Sequence, residues 1–125
     1  SSSIIGIMAQ RLVRKICPDC EKSTQLNKEH LEKLGLALKE GKTYAVKYGE
    51  GCVNCRGTGY FGRTGVFEVM NMSDEIKKLV TTRADAGEIK KQARKEGMIT
   101  LFEASVKKML QGITTFEEVI RATME

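Results

Sequence analysis

The second half of the chain carries apolar stripes at helical spacing, separated by residues that begin and end helices. Four residues suited to the N-cap position each precede one of these stripes: Ser73, Asp85, Thr100 and Thr115. The last three are followed three positions later by a glutamate, as in a capping box: Glu88, Glu103 and Glu118. Gly97 and Gly112 suit helix ends. The pattern predicts four helices in a small helical bundle.

The first half has shorter elements and a less decisive pattern. Residues 4–16 are rich in apolar side chains, and their early part suits a helix. The part from Arg11 to Ile16 fits a strand as well, so both interpretations stay open. Asn27 can cap a short helix that runs to Leu34 and ends at Gly35.

Three further stretches predict strands and a loop. Residues 44–48 alternate between apolar and polar positions, as a half-buried strand does. Residues 57–65 contain several glycines and predict a loop, which is followed by a strand near residues 66–70. The boundary between this first half and the helical second half falls near residues 70–72.

The candidate chemistry lies in four cysteines. They form two C-x-x-C pairs, Cys17 with Cys20 and Cys52 with Cys55, separated by 31 residues. Zn²⁺ prefers a tetrahedron of four ligands, with sulfur at about 2.3 Å. Two C-x-x-C turns complete this sphere and leave no position for water, which makes a structural site. The paired spacing therefore predicts one Zn²⁺ bound by all four cysteines.

Other uses of the cysteines fit the sequence less well. Disulfides need an oxidising compartment, and nothing in the chain suggests secretion. A redox C-x-x-C pair needs a helix N-terminus in a thioredoxin-like setting, whereas Gly57, Gly59 and Gly62 follow the second pair. Residues 52–59 also fit the C-x-x-C-x-G-x-G repeat of J-domain chaperones, but the first pair lacks those glycines. A closed four-thiolate sphere argues against a small zinc enzyme.

Two isolated signals do not indicate catalysis or nucleotide binding. Residues 35–43 approach a P-loop, but five residues separate the glycines instead of four. The strand predicted after them also stands where a P-loop needs a helix. His30 is the single histidine, and its helix-forming neighbours indicate a surface residue. With the cysteines assigned to zinc, no Ser–His–Asp or Cys–His set can be assembled.

Composition and charge narrow the classes of partner. The chain has 125 residues, and 41% of them are hydrophobic, enough for a modest core. The formal charge is +5, which four thiolates and Zn²⁺ would lower to about +3. Because both signs are mixed along the predicted helices, no nucleic-acid footprint is visible. No apolar run is long enough to span a bilayer. The start lacks Met and enters at once into apolar sequence, which indicates a piece of a longer protein.

Several motifs also resemble a known family. They are AQRLVRKIC at residues 9–17, GCVNC with the second cysteine pair at 51–55, GYFGRTGVFE at 59–68, GMITL at 97–101 and GITTFEEV at 112–119. Each C-x-x-C turn is called a knuckle below. In the same order, these motifs resemble the C-terminal part of the hexameric motor ATPases of type II secretion and type IV pilus assembly. The tetracysteine segment favours assembly or secretion motors, since retraction motors generally lack it.

Together, the patterns and the resemblance predict an α+β fold in three parts. Residues 1–16 would be the end of an ATPase core segment or a linker. Residues 17–70 would form a small tetracysteine zinc-binding module with short strands. Residues 71–125 would form a helical subdomain like a four-helix bundle.

The resemblance implies a function that this chain carries only in part. It implies a cytoplasmic homohexamer, peripheral to the bacterial inner membrane, that uses ATP and Mg²⁺ to drive pseudopilin or pilin assembly. Inner-membrane platform proteins would be its partners. The family's Walker motifs lie upstream of the matching segment, so this chain is expected to have no catalytic residue and no ATPase activity of its own. The alternative is a free-standing zinc-ribbon module that binds nucleic acid or protein.

Overall fold

The computed structural model describes residues 6–35 and 43–124, and in these ranges it contains four strands and five helices. The strands are β1 (Gly6–Ile16), β2 (Glu21–Gln25), β3 (Ala45–Gly49) and β4 (Tyr60–Asn71). The helices are α1 (Lys28–Leu34), α2 (Asp74–Thr81), α3 (Ala86–Lys95), α4 (Leu101–Leu110) and α5 (Phe116–Met124). The predicted mixture of helices and strands is confirmed. Most of the P-loop-like stretch lies outside the described residues.

The two longest strands, β1 and β4, form an antiparallel pair. Leu12 lies opposite Gly65, and Arg14 lies opposite Arg63. The pairing is irregular between Arg14 and Ile16, where β1 leads into the first cysteine pair. All of the chain between these strands, including both cysteine pairs, therefore extends from one end of a two-stranded ribbon.

Two sequence expectations change at this ribbon. The helix expected for the early part of residues 4–16 is wrong from Gly6 onward, and the stretch from Arg11 to Ile16, which was left open, is also part of strand β1. The loop predicted at residues 57–65 is wrong from Tyr60 onward, because β4 already begins there. Backbone pairing with β1 holds these residues extended despite their glycines.

The two faces of the ribbon differ because side chains alternate along each strand. Val13 and Val66 are 0% and 1% exposed, and they pack against Ala122 of α5. The opposite face, here called the outer apolar face, consists of four exposed side chains: Met8, Leu12, Phe67 and Val69. α4 and α5 thus pack against the face of the ribbon that carries Val13 and Val66.

A second antiparallel pair, β2 with β3, connects the two halves of the cysteine-containing segment. Glu21 lies opposite Gly49, and Gln25 lies opposite Ala45. The strand predicted at residues 44–48 is confirmed with a shift of one residue. β2 escaped prediction because all five of its side chains are exposed, which leaves no apolar alternation to detect.

The largest core joins elements of residues 17–70 to the C-terminal helices. Its fully or nearly buried members are Leu26, Leu31, Leu34, Val46, Val106, Met109 and Val119. They come from α1, β3, α4 and α5, except for Leu26, which lies between β2 and α1. The two predicted parts of the chain therefore share one hydrophobic core.

The four C-terminal helices are present, but a four-helix bundle is not confirmed. α2 packs mainly with α3, and α4 packs with α5. α4 also contacts β1, β3 and β4, and α5 contacts β1. The apolar stripes of α4 and α5 are thus buried against strands and against α1. In a four-helix bundle, α2 and α3 would cover these stripes instead.

The predicted helix starts are borne out by their caps. The side chains of Asn27, Ser73, Asp85 and Thr100 each accept a hydrogen bond from the backbone N–H three residues later. Thr115 does the same for Glu118 at 3.2 Å. In the described part of the chain, no helix has the length and apolar character needed to cross a membrane.

Candidate metal centre

Strand pairing brings the two cysteine pairs together from distant parts of the sequence. Cys17 and Cys20 lie in the turn between β1 and β2, and Cys52 and Cys55 lie between β3 and β4. Because β1 pairs with β4 and β2 pairs with β3, the two turns meet at the same end of both sheets.

The four sulfur atoms form a compact cluster. All of them lie within 4.8 Å of one another. The Sγ–Sγ distance is 3.7 Å for Cys17 with Cys52, 3.8 Å for Cys20 with Cys55, and 3.7 Å for Cys52 with Cys55. Sulfurs placed about 2.3 Å from a tetrahedral ion are about 3.8 Å apart. The cysteines are free of disulfides, so the cluster fits one tetrahedral metal ion.

Backbone N–H groups point at three of the sulfurs, and that of Asp19 points at Cys17 Sγ. Gly51 donates to Cys20 Sγ at 3.3 Å. Cys55 Sγ accepts from the N–H groups of Cys52 and Gly59, both at 3.2 Å. Such bonds stabilise thiolates, which is the form in which cysteine binds metals.

The two turns are also bonded directly to each other. Asn54 donates from its side-chain amide to Asp19 Oδ2 at 2.6 Å, which links the exposed tips of the turns. The backbone N–H of Cys17 donates to Gly59 O at 3.0 Å. The N–H of Glu50 donates to Cys20 O, also at 3.0 Å. Three bonds between the turns therefore hold the cluster closed from both sides.

Two glycines allow the segments on either side of the second cysteine pair to approach each other closely. A Cβ atom on Gly49 would lie only 2.0 Å from the carbonyl oxygen of Gly59. Gly59 itself has φ of 81°, a left-handed conformation that favours glycine. Gly49 and Gly59 thus let the two arms that lead into and out of the second cysteine pair approach each other closely.

Without a cation, the cluster does not favour four thiolates. Burial raises the pKa of Cys20 to about 12 and also raises that of Cys17. Burial acts in the same direction on Cys55, but the N–H groups of Cys52 and Gly59 outweigh it and lower its pKa to about 6. A bound divalent ion supplies the positive charge that removes the remaining protons, and soft thiolates match Zn²⁺.

His30 takes no part in this cluster. Its Nδ1 accepts the backbone N–H of Asn27 at 3.4 Å, and its ring packs against Phe116 with centroids 4.3 Å apart. It is half-buried in the cap of α1 and not a fully exposed surface residue. Four sulfur donors with no histidine or carboxylate make a closed set, which suits a structural ion more than a catalytic one.

Comparison with known proteins identifies the family of this chain. The sequence profile of the family described as type II/IV secretion system protein matches residues 1–121. The chain belongs to this family. It is 42% identical over 125 residues to the type IV pilus assembly ATPase PilB of Thermus thermophilus, covering 100% of this chain and 14% of that protein.

Two further relatives of this secretion-system chain carry different names. It is 39% identical over 123 residues to the type II secretion system protein E of Xanthomonas campestris, covering 98% of this chain and 22% of that protein. It is 35% identical over 121 residues to the type IV pilus assembly ATPase TfpB of Acinetobacter baylyi, covering 97% and 21%. The chain therefore spans between 14% and 22% of the length of these three relatives.

The secretion-system chain also contains a buried ionic cluster that the sequence did not reveal. Glu118 is 1% exposed and accepts hydrogen bonds from Arg14 and Arg121. The guanidinium of Arg14 lies 4.1 Å from the ring centroid of Tyr60, whose hydroxyl contacts Thr115 Oγ1 at 2.7 Å. The sequence offers one signal for its burial, since Glu118 lies beside Val119 on the apolar stripe of α5. The pattern of Thr115 followed by Glu118 predicts only a helix cap.

Proposed function

We propose that this chain is the zinc-binding C-terminal part of a secretion or pilus-assembly motor ATPase. Cys17, Cys20, Cys52 and Cys55 bind one Zn²⁺, which has a structural role. The single observation that carries the proposal is the tetrahedral spacing of four free sulfurs in a chain of this family. The names of its relatives, which are pilus-assembly ATPases and type II secretion proteins, support the motor.

The role of the zinc follows from what the cluster joins. The two knuckles lie between β1 and β2 and between β3 and β4, and these strands belong to two different sheets, so an ion there ties together both sheets. Zinc in small structural sites supplies on the order of 10–16 kcal/mol of apparent binding free energy at neutral pH. We propose that this energy fixes the module comprising residues 17–70 against the helices at 71–125, with residues 1–16 leading in from the ATPase core.

The outer apolar face supports a place within a longer polypeptide. Met8, Leu12, Phe67 and Val69 are between 47% and 62% exposed on one side of the ribbon. Adjacent apolar side chains of this kind usually mark a surface that another structure covers. Since the relatives are more than four times as long as this chain, we propose that the remaining part of the motor chain covers this face.

The chemistry of the motor would be performed outside this chain. ATP and Mg²⁺ would bind upstream residues of a homohexamer at the cytoplasmic side of the bacterial inner membrane. The segment described here would position subunits and contact membrane-embedded platform proteins, and it would show no ATP hydrolysis and no nucleic-acid binding of its own. Its zinc module is the proposed contact surface because Val53, at the tip of the second knuckle, is 93% exposed.

A binding experiment tests the contact with the platform. The zinc-loaded chain is mixed with the cytoplasmic domain of the platform protein, and complex formation is measured by isothermal titration calorimetry. Val53→Asp is expected to weaken binding because it places a charge at the apolar tip, while Val80→Asp, an exposed site on α2, serves as the matched control. If the intact motor binds the platform and this chain does not, the contact role is contradicted.

A further inference from the structure

The four sulfurs of the metal centre differ in their access to solvent. Cys17, Cys20 and Cys55 are 0%, 7% and 5% exposed. Cys52 is only partly buried and is packed at the edge of the other three. A reagent in solution therefore reaches Cys52 first, before any opening of the fold.

The sulfurs also differ in how strongly the backbone neutralises their charge. Cys55 accepts two backbone N–H bonds and Cys20 accepts one. Cys17 receives the N–H of Asp19 and is fully shielded from solvent. Hydrogen bonds that stabilise a thiolate make it a weaker nucleophile, so these bonds add to the protection that burial gives to Cys17, Cys20 and Cys55.

The remaining contacts of Cys52 do not alter this ranking. Its sulfur lies 3.7 Å from the sulfurs of Cys17 and Cys55, and these contacts cease to be hydrogen bonds once all thiols are deprotonated by a metal. The next residue, Val53, is almost fully exposed, so its side chain extends away from the packed interior. Gly51 on the other side carries no side chain that would cover the sulfur.

We propose that Cys52 is the site at which α,β-unsaturated carbonyl electrophiles modify the zinc centre, an inference that rests on the proposed zinc binding. The sulfur lone pair of the Cys52 thiolate forms a bond to the β-carbon. The electrons of the carbon–carbon double bond move to the α-carbon, which takes a proton from water. The thioether that results is a poor zinc ligand, so the zinc–sulfur bond breaks and three thiolates remain.

The consequence is local loosening that begins at the second knuckle. The backbone of Cys52 anchors this knuckle, since its carbonyl accepts the N–H of Gly57 at 2.8 Å and its N–H donates to Cys55. A three-thiolate site holds zinc less tightly than a closed set of four. Zinc loss then removes the ion that joins the two sheets, so modification of one side chain would weaken the whole module.

Labelling of the zinc-loaded chain tests the inference. Zinc content is measured first, and the chain then reacts with less than one equivalent of N-ethylmaleimide. Peptide mass spectrometry locates the adduct while a metallochromic dye follows zinc release. We expect Cys52 to be labelled about tenfold or more faster than the other three, because it is the one that is accessible to solvent while the others are buried. We also expect release of zinc to accompany the first adduct.

Two histidine variants separate reactivity from loss of the fold. Cys52→His keeps a zinc ligand in a Cys₃His set and removes the reactive sulfur, so its labelling is expected to slow by about tenfold or more. Cys20→His, the matched control, is expected to retain rapid labelling at Cys52. One zinc per chain with first labelling at Cys17, Cys20 or Cys55 overturns this inference alone. A chain that carries no zinc contradicts the proposed function and this inference with it.

Discussion

Arg14 Nε donates to Glu118 Oε1 at 2.6 Å and so joins β1 to α5 across 104 positions of the sequence. The backbone N–H of Arg14 donates to the other carboxylate oxygen at 3.0 Å. Arg121 donates both to Glu118 and to the carbonyl of Leu12. These contacts occupy backbone groups of β1, and Thr114 Oγ1 adds one by donating to Arg14 O at 2.7 Å. The start of α5 therefore protects this strand edge from pairing with other chains.

Replacing Glu118 with glutamine should destabilise the chain substantially. The substitution keeps the shape of the side chain but removes the charge that both arginines contact. Hydrogen bonds to charged groups contribute about 1.5–3 kcal/mol each, so we expect a loss of about 2–3 kcal/mol in the free energy of unfolding. Urea denaturation followed by circular dichroism measures it. Glu117→Gln, an exposed neighbour on α5, is the control and should stay within about 0.5 kcal/mol of the unmodified chain.

The same carboxylate predicts a dependence of stability on pH. Burial raises the pKa of Glu118, but Arg121, the N–H of Arg14 and the Arg14 guanidinium outweigh burial and lower it to about 2, from an ordinary 4.5. A carboxylate with a depressed folded-state pKa stabilises the protein above its unfolded pKa and loses this contribution as the pH falls.

The expected result is a stability difference that shrinks in acid. The difference in unfolding free energy between the unmodified chain and Glu118→Gln should be full above pH 4.5 and decline towards pH 2. Any loss of metal in acid affects both chains and cancels in this difference. A difference that stays constant from pH 6 to about 2.5 would show that the ion pair does not set the pKa.

The cysteine cluster was predictable from the sequence, whereas the ionic cluster was not. Cys17, Cys20, Cys52 and Cys55 carry their chemistry in their spacing, and the structure brings all four together. Glu118 and Arg14 have no such local pattern, because their partnership depends on how α5 packs against β1. A charged residue at a solvent-facing position and one buried in an ion pair look alike in a single sequence.

Helix starts were predicted well and the strands less well, because caps depend on neighbouring residues whereas strands depend on distant partners. The caps at Ser73 and Thr100 act within one turn, so the sequence contains all that determines them. The extent of β4 depends on its pairing with a strand that lies far away in the sequence, and Tyr60 was therefore assigned to a loop. The bundle was expected because the stripes of α4 and α5 reveal an apolar face without revealing what covers it.

Adding a methyl group at Gly49 should weaken metal binding. The new Cβ would lie 2.0 Å from Gly59 O, so the two arms of the second knuckle, which holds Cys52 and Cys55, must move apart. Substitutions that disturb the groups supporting metal ligands commonly lower affinity by about 10–100-fold, and we expect Gly49→Ala to fall in that range. Competition with a chromophoric chelator measures the zinc affinity.

A glycine elsewhere in the chain provides the control for this substitution. Gly87 lies in α3, where an added Cβ meets only the flexible side chain of Asp85 at 3.2 Å. Alanine favours helices over glycine by about 1 kcal/mol, so Gly87→Ala should leave zinc affinity unchanged and stability equal or slightly higher. Equal zinc affinities for Gly49→Ala and Gly87→Ala would contradict the role given to the glycine contact.

Zinc K-edge X-ray absorption on the purified chain tests the central claim most directly. The account predicts one zinc per chain, surrounded by four sulfurs at about 2.3 Å with no oxygen or nitrogen ligand. This result would place Cys17, Cys20, Cys52 and Cys55 around one closed structural ion. A spectrum that requires water, carboxylate or imidazole ligands, or a chain purified without any bound metal, would contradict it.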